Sequence, residues 1–85
     1  MITYDDDNLA KHGITRQEVD QVLDSRNLTT RVFELQPSRQ GNSRVMYVGF
    51  TLQAPLLEVG VEYLEESDHV FHADDATKAY RKEFD

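Results

Sequence analysis

The sequence predicts an α+β fold: two N-terminal helices, a four-stranded antiparallel meander and a C-terminal helix. Three observations predict it. Thr15 and Glu18 stand as a Thr-x-x-Glu capping box ahead of Val19, Val22 and Leu23, which share one helical face. From Ser43 to Tyr63 the apolar residues change to a two-residue period, interrupted by short turns. From Ala76 to Phe84 the period returns to four, with Ala76, Tyr80 and Phe84 in line.

Each element follows from its own residues. Ile2-Thr3-Tyr4 reads as a short strand or an extended arm. Asp5, Asp6 and Asp7 meet the positive end of a first helix over Asp6–His12, which closes at Gly13, a residue suited to the left-handed position after a helix. Ile14 and Val19 take the staple positions around the capping box, and the second helix ends near Asp24–Asn27. Leu28–Leu35 is β-branched and aromatic, and 37–42 is a turn. In Ser43–Leu52, Arg44, Met46, Val48, Phe50 and Leu52 share one face, while Val45, Tyr47, Gly49 and Thr51 share the other. After a turn at 53–55, Leu57, Val59, Val61 and Tyr63 alternate with Glu58, Gly60 and Glu62, the pattern of a half-buried strand. A turn at 65–68 leads to a short strand, His69–His72. Short connections between successive strands imply antiparallel neighbours. Asp74 and Asp75 suit the N-cap and first turn of the last helix, 74–84, and Arg81 and Lys82 suit its C-terminal half.

Composition bounds the function. Eighty-five residues make one domain, 1–85, and 39% hydrophobic residues suffice for a core. Sixteen acidic against nine basic residues give a net charge of -7, which disfavours general nucleic-acid coating and attachment to anionic membranes. No apolar run reaches the ~18 residues of a spanning helix and no leader is recognisable, so a cytoplasmic location is expected. Without cysteine there is no disulfide, thiolate nucleophile or cysteine-ligated metal. No cofactor is expected.

Three short stretches resemble one family. The first is Asn8-Leu9-Ala10-Lys11-His12-Gly13-Ile14, followed by Glu18-Val19 and Val22-Leu23. The second is Gly41-Asn42-Ser43-Arg44 with Val48-Gly49-Phe50. The third runs from Ala73 to Lys82, with Ala76-Thr77 and Arg81. In this order, and over nearly the whole chain, they resemble the BrnT-type toxins of the RelE/ParE toxin superfamily of bacterial toxin–antitoxin modules. The resemblance implies a metal-independent ribonuclease that cleaves mRNA and is neutralised by an antitoxin. This sequence also departs from the pattern. The family carries a dense Arg/Lys cluster in the final strand and helix. Here Asp74 and Asp75 follow Ala73, Ala79 takes a later basic position, and seven acidic residues with no Lys or Arg lie between Glu58 and Asp75.

Metal-free RNA cleavage requires a base for the 2′-hydroxyl, a cation at the developing phosphorane and an acid for the leaving oxygen. The candidates are Arg44 at the position of the family's arginine, His72 just before the last helix, and Arg81. Lys78, Lys82 and Tyr80 are the candidates for holding substrate. Each also has an ordinary role: Arg44 in a strand-end salt bridge, His72 as a partly buried histidine, the three cations as complement to a helix C-terminus, and Tyr80 as core. His12 fits as a complement to its own helix's dipole. Strand alternation puts His69 and His72 on opposite faces and Asp68 and His72 on one, too few ligands for a zinc site, so no metal is expected.

Three functions remain open. One is the mRNA-cleaving toxin, with an antitoxin partner. Another is a non-catalytic, acidic member of the same fold that binds a basic protein. The third is a homodimer built on an exposed sheet edge or the last helix.

Overall fold

A computed structural model describes residues 1–53 and 55–85; Ala54, in the turn expected at 53–55, lies outside the described residues. The order is β1 (Ile2–Tyr4), α1 (Asp6–Lys11), α2 (Arg16–Leu23), β2 (Arg31–Glu34), β3 (Arg44–Phe50), β4 (Leu56–Tyr63), β5 (Asp68–Asp75) and α3 (Lys78–Arg81), with a closing 3₁₀ turn at Lys82–Phe84. The described residues thus form an α+β fold of three α-helices on a five-stranded mixed sheet.

The sheet order is β1-β5-β4-β3-β2. The four strands from β2 to β5 pair antiparallel in chain order, as the short turns predict. The difference lies at the N-terminus: β1 is a fifth strand, parallel to β5, with Ile2 opposite Asp68 and Tyr4 opposite Val70. The chain then crosses from one edge to the other through α1 and α2, which cover one face. We call this the first face.

The helix starts and stops obey their local signals. The Thr15 hydroxyl accepts from the Glu18 amide at 3.1 Å, and the Glu18 carboxylate accepts from the Thr15 amide at 3.0 Å, closing the capping box. Gly13, at φ 69°, lets the Ile14 amide turn back to the Leu9 carbonyl and its own amide reach the Ala10 carbonyl. That turn sends Leu9 and Ile14 into one core with Val19 and Val22.

Both sheet faces are covered. Val45, Tyr47, Val59, Val61, Val70 and Ala73 pack under α1 and α2. On the second face, Met46, Val48 and Leu56 meet Ala76, Phe33, Leu35, Tyr80 and Phe84. The Ala76, Tyr80, Phe84 stripe therefore lies against the sheet, as its spacing predicts. The helix itself is shorter. β5 continues to Asp75, so Asp74 and Asp75 are strand residues, and the helix begins only after Thr77. The ladder extends further still, because the Ala76 amide donates to the Leu56 carbonyl. Pairing with a central strand overrides the helix-start signal of the two aspartates. β4 is also more buried than its alternation implies: Leu56 to Val61 are buried without a break, because the second face is roofed as well. β2 is shorter than expected, and Leu28 is 95% exposed.

Candidate functional site

A one-residue bulge organises the second face. Gly60 pairs with His72 and Val61 with Val70, leaving Phe71 as the extra residue in β5. Gly60 is required there, because a Cβ on it would lie 2.7 Å from the Phe71 ring. The bulge inverts the expected facing of β5. His69 opposes Glu62 and His72 opposes Gly60, so both histidines lie on the second face. Asp68 opposes Tyr63 and falls on the first. Simple alternation predicts the reverse, because it counts Phe71 as a paired residue.

The bulge brings His72 to Glu58. The His72 Nε2–H donates to Glu58 Oε2 at 2.8 Å, and Glu58 Oε1 accepts from the Thr77 amide at 2.7 Å. Glu58 is only 4% exposed, so its carboxylate is a buried post joining β4, β5 and the start of α3. Asp74 stands opposite Glu58 in register and has its own imidazole: His12 Nδ1 lies 3.2 Å from Asp74 Oδ2. His12 reaches this strand because α1 covers the β5 edge beyond β1, where Asn8 Oδ1 accepts from the Ala73 amide. The two imidazoles meet edge to face, with centroids 5.8 Å apart. Their side chains are 23% and 26% exposed. Each ring thus has one nitrogen against a carboxylate.

Tyr80 lies at the inner side of this group, its ring 5.0 Å from Phe33. Burial, reinforced by the negative charge of Glu58, raises its pKa above the usual phenol value. It is a neutral phenol near neutral pH.

The other expected site residues lie elsewhere. Arg44 opposes Glu62, donates from Nε to the Gln36 carbonyl at 2.8 Å and stacks 5.4 Å from the Phe71 ring. From His72 it is separated by two strand spacings, ~10 Å, and by two residues along the strand, ~7 Å. Arg81 folds back along its own segment, donating from Nε to the Ala76 carbonyl at 2.8 Å. Lys78 and Lys82 are exposed. No hydrogen bond or ion pair joins any two of Arg44, His72 and Arg81 among the described residues. The fold therefore gathers His72 and Tyr80 at Glu58 and leaves the cations dispersed. Sequence reasoning missed Glu58, which reads as one more solvated acid on an alternating strand. Its signal was position, since it sits between Leu57 and Val59 in the most apolar strand.

Among the described residues no group of three or more histidines and carboxylates has an arrangement that holds a metal ion. No helix of the described residues is long and apolar enough to cross a membrane. No family model and no curated protein matches this chain.

Proposed function

We propose that this chain is a BrnT-like member of the RelE/ParE superfamily that works by binding a basic protein partner, an antitoxin or a protein of similar charge, and not by cleaving RNA. The observation that carries this reading is the fate of the cations. Arg44 and Arg81, two of the groups a phosphorane would need, each bind a backbone carbonyl, in separate parts of the fold. The groups that do converge on the second face are two carboxylates with their imidazoles. With a net charge of -7, such a surface repels a phosphodiester and attracts a basic polypeptide.

One observation favours a second reading, metal-independent cleavage of mRNA. The His12–His72 pair is about a quarter exposed, each ring is braced by a carboxylate, and two such imidazoles are an acid and a base for phosphodiester cleavage. Single-stranded RNA incubated with the purified protein in excess chelator separates the two. The binding reading predicts intact RNA. Cleavage by the parent that disappears in a His12→Ala/His72→Ala double variant replaces it with the second reading.

A further inference from the structure

On the first face, at the end of the sheet away from His72, a cleft of about 150 Å³ opens between the end of α2 and the β4–β5 pair. Its walls include Leu23, Val61 and Val70, and its polar groups are the hydroxyls of Tyr47 and Tyr63 and the carboxylate of Asp68. Size limits the occupant. The volume equals about five waters, well short of the roughly 300 Å³ at which cofactor and drug sites begin. One side chain fits; a nucleotide does not.

Chemistry limits it further. The two tyrosine hydroxyls bond each other, which uses one O–H and leaves the second O–H and further lone pairs without a protein partner among the described residues. Asp68 is exposed and stands opposite Tyr63 in register. Burial first, then the Tyr47 bond, and least the Asp68 charge oppose ionisation of Tyr63. Glu65 and Glu66 follow Tyr63 in the turn leading to Asp68. An aliphatic wall, two phenols and an acidic mouth suit a stem of methylenes tipped by a cation.

We propose that this cleft takes one lysine side chain of the basic partner, its stem along Ile2 and Leu23 and its ammonium at Asp68 and the tyrosine hydroxyls. This rests on the partner-binding reading above. The test needs no partner. Nα-acetyl-lysine methylamide is titrated into labelled protein and followed by NMR, with the norleucine analogue as the uncharged control. Saturable shifts centred on Leu23, Tyr63 and Asp68 are expected. The norleucine analogue should bind at least about threefold more weakly, and Asp68→Asn should weaken the lysine probe by a similar factor, the scale of a half-exposed ion pair. Tyr63→Phe, which leaves the ring in place, should weaken it less.

Absence of saturation, equal binding of the norleucine analogue, or indifference to Asp68→Asn would each overturn the assignment. Because the probe is a single residue, such a failure removes the cleft and leaves the partner reading standing. RNA cleavage by the protein would do the opposite.

Discussion

The two faces of the sheet are built from different materials. The first is largely aliphatic: Leu57, Val59, Val19, Val22 and Val70 are fully buried, and the phenols of Tyr47 and Tyr63 are partly buried against them. The second has a thinner apolar core around Met46, Val48 and Leu56, with the Glu58 carboxylate buried beside it. The first face holds the fold mainly by burial, at about 25 cal/mol per Å² of apolar surface. The second needs directed hydrogen bonds to place the C-terminal segment.

The largest effect is expected on the first face. Leu57→Ala should cost about 3 kcal/mol in chemical denaturation, because a fully buried leucine leaves a cavity among neighbours fixed by the sheet. An equal loss from Met46→Ala, in the smaller second core, would show the two faces to be equivalent.

Glu58 sharpens the contrast. Glu58→Ala leaves the Thr77 amide and the His72 Nε2–H without their acceptor and should cost about 2 kcal/mol. The loss should be local. Amide exchange should speed up at Ala76 and Tyr80, and Val19 and Val22 should keep their protection. Exchange rising evenly over both faces would mean that the carboxylate supports the whole domain.

A smaller effect comes from the helix start under the first face. Thr15→Ala removes one half of the capping box and should lower stability by about 1 kcal/mol.

The smallest effect is a pH dependence with one tyrosine on each face. Tyr63 and Tyr80 both have pKa values raised above the ordinary 10.0, chiefly by burial. A raised folded-state value means that the fold favours the neutral phenol. That contribution is complete below pH 10 and is lost as the pH climbs from there towards the folded values. Denaturation series between pH 8 and 11 should therefore show stability falling on the alkaline side. Tyr63→Phe, at the more strongly shifted group, should flatten the fall more than Tyr80→Phe.

The first face was the more legible in the sequence. Thr15 with Glu18, Gly13, and the Val19/Val22 pair are local signals, and each produces the contact it predicts. The Ala76, Tyr80, Phe84 stripe was equally readable, although the helix that carries it starts later. What sequence reading lost lies in non-local pairing. β1 joins the sheet because β5 has a free edge, which three residues cannot announce. Asp74 and Asp75 look like a helix start until β4 claims them as strand. The Phe71 bulge reverses the facing of Asp68, His69 and His72, and no residue type marks it in advance. For the candidate site, His72 and Tyr80 were named from the sequence, and Glu58 and the His12–Asp74 contact emerged only from register. The cations Arg44 and Arg81 were named for their chemistry, and chemistry alone does not bring side chains together.

The most direct test of the proposed function, partner binding without RNA cleavage, is regulated expression in a bacterial host. Growth and total mRNA integrity would be followed for the parent and for Arg44→Ala/Arg81→Ala at matched soluble levels. The account predicts normal growth and intact mRNA for both. Growth arrest with mRNA decay in the parent, relieved in the double variant, would contradict it and return the two arginines to the centre of an active site.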